Sequence, residues 1–320
     1  MFSPQTVSAL DRAVATVVRD CLAVRPREDV LVVADPHTRA LGEALAGACA
    51  EAGGDAVLAL MDPRETDGTE PPPPVAAALA AADVFIAPTS RSLSHTQARK
   101  RASEAGARGA TMPGVTADML ARVMDVDFEL VRERSRAVAA LLDESDDAHL
   151  TCPRGSDLRL DLSGREGIPD DGDLTVPHAF GNLPCGEGFI APVTGQGTLA
   201  AASLATVGLA ADPAVLRVDD GRLVDASGPE GEQFIARLRA HGPAGTNLAE
   251  LGVGTNDRAT LTGNVLEDEK ILGTVHVAFG ASAGIGGTVA VPIHLDCVVL
   301  EPTLHVGGAL VLDGGRYALA

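Results

Sequence analysis

At 320 residues the chain is long enough for two domains or one large one. Its 46% hydrophobic content supports sizeable cores and argues against intrinsic disorder, although aromatics are only 2%, so those cores must be built from Ala, Val and Leu. A net charge of −19, from 44 acidic against 25 basic residues, argues against sequence-independent nucleic-acid binding, which needs a cationic surface.

In chain order, Thr6 to Leu22 has helical periodicity and Asp29 to Ala34 (DVLVVA) is a short buried strand. A helix over Thr38 to Ala52 and a strand over Asp55 to Leu60 follow. Pro71 to Pro74 break the chain before an Ala-rich helix, Val75 to Ala82. Asp83 to Ala87 is a third strand, Thr96 to Ala105 a helix stopped by Gly106, and Asp127 to Leu142 a last helix. Short Val/Ile runs alternating with helices indicate βαβ units and a parallel sheet.

The pattern changes around Glu144 to Thr151. From Asp157 onward short alternating strands dominate, including Leu199 to Val207, Val215 to Val218 and Arg222 to Asp225, with one helix over Glu230 to Ala240. The C-terminal CVVLEPTLHVGGALVLDGGRYAL reads as an antiparallel meander with Gly-Gly turns. The expected organisation is an α/β N-terminal domain over residues 1–148 and an α+β, β-rich, metal-binding domain over 149–320. No GxGxxG follows the first strand and no Walker sequence occurs, so nucleotide binding is not supported. Five cysteines without CxxC spacing suggest reduced thiols. The N-terminal stretch lacks the basic region and apolar core of a signal peptide. No apolar run approaches the roughly 20 residues of a membrane span. A cytoplasmic protein is expected.

Chemistry concentrates in GTVHVAFGASAGIGGTVAVPIHLD, residues 273–296. His294 and Asp296 stand two apart in an apolar run, so on a strand they share a face and can chelate one ion. His276 lies in a second strand-like run, TVHVAF. Two imidazoles and a carboxylate suit zinc and equally Fe(II). Glu187, in GNLPCGEGF, is either a solvated loop tip or a ligand. Glu250, in NLAELGVGTN, is either a partnered carboxylate in apolar surroundings or a helix-terminal residue facing water. LEDEK, residues 266–270, reads as an exposed charged turn, with the alternative that one acid supports the site.

LPCGEGFIAP, LAELGVGTN, LEDEKILGTVHVAFG and HLD, in that order, resemble the signature of the aminopeptidase T family of metallopeptidases, over about residues 150 to 306. The superfamily also contains 2,5-dihydroxypyridine dioxygenase, a mononuclear Fe(II) ring-cleaving enzyme. The resemblance implies a homodimer with a two-domain fold and metal ligation by Glu187, Glu250, His276, His294 and Asp296. Where the peptidases carry a Tyr, seven positions after the first histidine, this chain has Ala283, and the loop before His294 is short. Both changes remodel the pocket and leave the ligand set.

Three readings follow, with the hydrolase leading and the other two as alternatives. A metallohydrolase would hold one or two Zn, Co or Mn ions, with Glu187 or Glu250 bridging, and would cleave a small amide or short peptide by activated water. A ring-cleaving dioxygenase would hold one Fe(II) on His276, His294 and Asp296, with the glutamates orienting a small-molecule substrate or moving protons. A metal-binding relative without activity is the third. After the third expected strand, His95 and Arg99 are candidates for binding substrate or moving protons across a domain cleft, with Ser94 or Thr96 as a plain helix cap the alternative. His37 could line the same cleft and His178 could support the metal ligands. No nucleic-acid or membrane partner is expected.

Overall fold

The computed structural model describes residues 4–319, so the extreme ends of the two expected domains, residues 1–3 and 320, lie outside the described residues. Two compact units make up the chain. The first comprises residues 1–126 and 172–185, the second residues 127–171 and 186–320.

Helix α1 (Pro4–Thr16) runs into a short π-helical turn, Val17–Cys21. Then come β1 (Asp29–Ala34), α2 (Arg39–Glu51), β2 (Asp55–Leu60), α3 (Pro73–Ala81), β3 (Val84–Ala87), α4 (Gln97–Glu104), β4 (Arg108–Thr111) and α5 (Ala117–Val123). In β1, β3 and β4 nearly every residue is buried, as expected of parallel strands covered on both faces. Strand β4 and helix α5 are short and carry no strong apolar periodicity, so the sequence does not announce them.

The chain then leaves this unit. Helix α6 (Phe128–Asp143) starts at Asp127, whose side chain accepts from the amides of Glu129 (3.1 Å) and Leu130 (3.4 Å). Its buried residues Val131, Ser135, Val138 and Leu142 repeat at helical spacing and form one face. That face packs on β7 (Ile168–Asp170) and β9 (Glu187–Ile190) of the second unit. Gly188 permits the approach, since a Cβ there would lie 2.8 Å from both Ser135 O and Val138 Cβ. The expected boundary between residues 148 and 149 falls inside β5 (Asp147–Thr151), and α6 belongs to the second unit. The apolar face of α6 could not announce in sequence which sheet it would cover.

Strands β5, β6 (Asp157–Asp161) and β7 belong to the second unit. Then β8 (Phe180–Asn182) returns to the first unit and pairs in parallel with β4, completing a five-stranded sheet of order β2-β1-β3-β4-β8.

The rest of the second unit is β9, β10 (Thr194–Leu204), β11 (Gly208–Asp219), β12 (Arg222–Ala226), α7 (Pro229–Arg239), β13 (Leu248–Gly254), α8 (Val265–Asp268), β14 (Val275–Gly280), β15 (His294–Val299), β16 (Thr303–Val306), β17 (Ala309–Asp313) and β18 (Arg316–Tyr317). They form an antiparallel sheet of order β18-β17-β16-β5-β6-β10-β15-β14-β13-β9-β7, with β11 and β12 branching from β10. Strands β10 and β11 are longer than expected and form one hairpin. Leu251, Val253, Val275, Val277, Phe279, Leu295 and Cys297 face one core shared with α6 and α7. Each such large side chain contributes roughly 2 kcal/mol of transfer free energy as an upper estimate. No helix among the described residues is long and apolar enough to cross a membrane.

Inside the first unit, buried Arg108 forks onto Glu28 (Nη1–Oε1 2.9 Å, Nη2–Oε2 2.6 Å) and donates Nε to Leu22 O at 2.7 Å. Burial alone would raise the Glu28 carboxyl, but Arg108 and the amide of Arg25 hold it below its ordinary value. Such a group adds stability above its unfolded-state pKa and loses it as pH falls. Arg108→Met is therefore expected to cost about 3 kcal/mol at neutral pH. The cost shrinks on acidification, which urea unfolding at several pH values reads directly.

Candidate metal centre

The candidate ligands come from four neighbouring strands. Glu187 opens β9, Glu250 lies on β13, His276 on β14, and His294 and Asp296 on β15. Strand alternation puts the apolar residues of β14 (Val275, Val277, Phe279) into the core and His276, Ala278 and Gly280 on the opposite face.

The register explains how bulky polar groups meet there. Directly opposite residues in an antiparallel pair share a face. Glu187 stands opposite Gly254 and His276 opposite Gly252. His294 stands opposite Gly280, while Glu250 and Asp296 both oppose Ala278. On one neighbouring strand each candidate ligand thus faces a partner with at most a methyl group, and that space is where the head groups converge; on the other side His276 faces Val298 and Glu187 faces Asp170. At Gly252 the demand is absolute: a Cβ would collide with Nε2 and Cε1 of His276.

The resulting cluster is almost wholly buried. Glu250 sits at its centre, with Oε1 3.4 Å from His276 Nε2 and Oε2 3.2 Å from His294 Nε2. Asp296 Oδ1 lies 3.6 Å from His294 Nε2. Glu187 Oε2 lies 3.0 Å from His276 Nε2. Two sets of atoms are close enough to hold an ion: Glu187, Glu250 and His276, and Glu250, His294 and Asp296. The expected trio His276, His294 and Asp296 is split between them, with Glu250 common to both.

The donor set fits a divalent cation. His294 Nδ1 lies 2.7 Å from the carbonyl of Ala281, which can only accept, so Nδ1 carries the proton and Nε2 points toward the carboxylates. Among the described residues, buried Glu187 Oε2 and His276 Nδ1 have no hydrogen-bond partner. Burial disfavours charge on Glu250, but the hydrogen bonds and attraction of the two imidazoles hold its carboxyl down at about 2. Glu187 is also held low, with attraction from Lys270 and His276 overcoming burial. Burial would lower both imidazoles, yet the carboxylates they face raise them well above the ordinary range. The pocket therefore stabilises positive charge where Nε2 of each histidine sits, and a cation there replaces those protons.

Residues 266–270 overturn the expectation of an exposed turn. Glu267, Asp268 and Lys270 are fully buried, and Glu269 nearly so. Asp268 is a structural anchor: it accepts from Ser203 Oγ (2.6 Å), Thr262 N (2.7 Å) and Gly263 N (2.9 Å). Glu267 accepts from Thr260 N at 2.8 Å. Glu269 and Lys270 join the cluster itself. Lys270 Nζ contacts Glu187, Glu269 Oε1 (2.7 Å) and Asp170 Oδ2 (3.2 Å). Burial pushes Asp170 up to about 7 and Glu269 up to about 8, against the attraction of Lys270. Glu250 lies on a strand and not at a helix end, and Glu187 is buried and not a loop tip.

The other candidates lie in the first unit. Thr96 caps α4, accepting from Arg99 N at 3.2 Å, and Ser94 Oγ bonds Thr111 Oγ1 at 2.7 Å. Arg99 turns inward: Nε donates to Ser94 O at 2.7 Å and the guanidinium lies 4.0 Å from the Phe180 ring centroid. Burial lowers Arg99 to about 10, against the attraction of Glu104. His95 is half-buried in the turn before α4. His178 Nδ1 lies 2.6 Å from Ser103 O, and His37 is exposed beside buried Asp35.

The sequence profile of the 2,5-dihydroxypyridine 5,6-dioxygenase family matches residues 10–318. No curated protein matches the chain in sequence. Two solved structures resemble it in fold. A 2,5-dihydroxypyridine dioxygenase from Pseudomonas putida KT2440 superposes with a TM-score of 0.83 at 17% identity, over 97% of each chain. AmpT from Thermus thermophilus gives 0.71 at 17% identity, covering 98% of this chain and 100% of that one. The α/β unit followed by an antiparallel, β-rich unit is the fold shared with both structures.

Two substitutions test the cluster as a cation site. His294→Ala is expected to abolish stoichiometric uptake of Zn(II) or Co(II) measured by titration calorimetry. Gly252→Ala, which adds no charge, should displace His276 and weaken binding by about tenfold or more, or at least ~1.4 kcal/mol. Unchanged affinity in either folded variant would refute the assignment of its histidine.

Proposed function

The chain belongs to the 2,5-dihydroxypyridine 5,6-dioxygenase family, and from that membership we propose that it opens a hydroxylated pyridine or related aromatic ring with dioxygen, using divalent iron. The observation that carries the reading in the site is Glu250. Its two oxygens face the Nε2 atoms of His276 and His294, which sets an imidazole on each side of one carboxylate. That donor set suits Fe(II) with positions left for a chelating substrate.

The metal would be held by His294, Asp296 and Glu250, one of the two sets close enough for an ion, with His276 at the other oxygen of Glu250 and Glu187 beside His276. Iron there supplies the one-electron chemistry that lets dioxygen react with a closed-shell ring. The protein's own groups do the rest. Burial of the ligands excludes water from the reacting face. Loss of the ring hydroxyl proton lets the substrate bind as its oxyanion. Arg99, turned into its own unit, is assigned no role in the chemistry. In the balanced reaction one dioxygen is consumed per ring and both oxygen atoms enter the opened product.

One observation favours the hydrolase reading. Glu250 belongs to both candidate ligand sets, as a carboxylate bridging two ions would. The family match outweighs it: sharing is also what a single central ligand between two imidazoles requires.

Protein loaded anaerobically with Fe(II) and mixed with aerated 2,5-dihydroxypyridine should consume one dioxygen per ring opened. Label from 18O2 should appear twice in the product. Cleavage of aminoacyl amides by the Zn, Co or Mn form, without oxygen uptake on the pyridine, would return the site to hydrolysis. Iron content of one per chain agrees with the first outcome, and two equivalents of Zn, Co or Mn with the second.

A further inference from the structure

Of the 25 basic residues only two are lysine, Lys100 and Lys270. Lys270 is fully buried, and three carboxylates close around its ammonium. The pairing of β7 with β9 sets Asp170 directly opposite Glu187, an unfavourable like-charge pair on one sheet face. The Lys270 ammonium contacts both, and Glu269 from its own turn supplies a third carboxylate. A compact ammonium with three N–H groups fanned in three dimensions suits carboxylates arriving from three directions; the flat fork of arginine does not.

The lysine is itself fixed by its backbone. Lys270 O accepts from Asn256 N at 2.9 Å, and Lys270 N donates to Glu267 O at 2.9 Å. Its ammonium holds Glu187 by Oε1, which turns Oε2, the oxygen without a hydrogen bond, toward His276. One carboxylate is thereby shared between a permanent internal cation and the candidate metal position.

We propose that Lys270 is a positioning residue for metal binding, an internal cation that fixes Glu187 with one oxygen presented to the ion. The proposal rests on the reading of Glu187, Glu250 and His276 as a cation site. It predicts that the ion and Lys270 sense each other through Glu187, without touching.

The scarcity of lysine supplies the test on the unaltered protein. With lysine labelled by 15N at Nζ, two side-chain signals are expected, and Lys100→Arg assigns them. One equivalent of Zn(II) should shift the Lys270 signal and leave Lys100 in place. Lys270→Met, checked for folding by circular dichroism, should bind Zn(II) about 10- to 100-fold more weakly, the usual consequence of removing a group that orients a ligand. Stoichiometric Zn(II) uptake with an unmoved Lys270 signal would overturn the proposal, as would wild-type affinity in folded Lys270→Met. If Lys270→Met does not fold, the labelled wild-type protein still decides. No Zn(II) uptake by the wild type would instead overturn the cation-site reading, and this proposal with it.

Discussion

Negative charge gathered inside a sheet is the constraint on which the second unit depends. Asp170, Glu187, Glu250, Glu269 and Asp296 all lie in one cluster, nearly out of contact with water. Isolated, any one of them would cost several kcal/mol to bury ionised, so each must neutralise, find a cation, or accept hydrogen bonds. All three solutions occur. Asp170 and Glu269 are pushed up toward neutrality, Glu187 and Glu250 are held ionised by Lys270 and the imidazoles, and Asp268 nearby is saturated with hydrogen bonds. A divalent ion is the natural complement of what is left.

The sheet sustains this arrangement by dividing labour between its faces. Along β13, β14 and β15, Leu251, Val253, Val275, Val277, Phe279, Leu295 and Cys297 belong to the apolar core, while Glu250, His276, His294 and Asp296 alternate with them on the other face. The apolar face anchors the strands on α6 and α7, so the backbone beneath the polar face is stiff. Glycine or alanine opposite each candidate ligand on one neighbouring strand leaves room for its head group. A site built on strands in this way holds its ligand atoms more tightly than one carried by loops.

The same framework has room for more than one chemistry. The fold is shared with a 2,5-dihydroxypyridine dioxygenase and with AmpT, at 17% identity to each. Beside the candidate ligands, Ala283 stands where the aminopeptidase T pattern places a tyrosine, and Ala283 N and Ser282 N both bond Val289 O, tying the short loop before His294 to itself. On a shared fold, function is decided at the site, by the groups that line it.

Much of this was written in the sequence. Periodicity revealed the parallel α/β half, since β1 and β3 are short, buried and flanked by helices, and the His-Leu-Asp spacing on a strand assigned one pair of ligands to one face. The ordered motifs supplied the remaining candidates, Glu187, Glu250 and His276. Three matters were decided only by tertiary structure. The apolar face of α6 is equally ready for either sheet, and packing through Gly188 assigned it to the second unit. Glu267, Asp268, Glu269 and Lys270 look like any solvated turn, because hydrophilic residues signal water unless their counter-charges are known. For Lys270 those counter-charges include Asp170 and Glu187, far back along the chain, and only strand pairing brings the two carboxylates together. The centrality of Glu250, finally, follows from cross-strand register, which a single chain of letters does not contain.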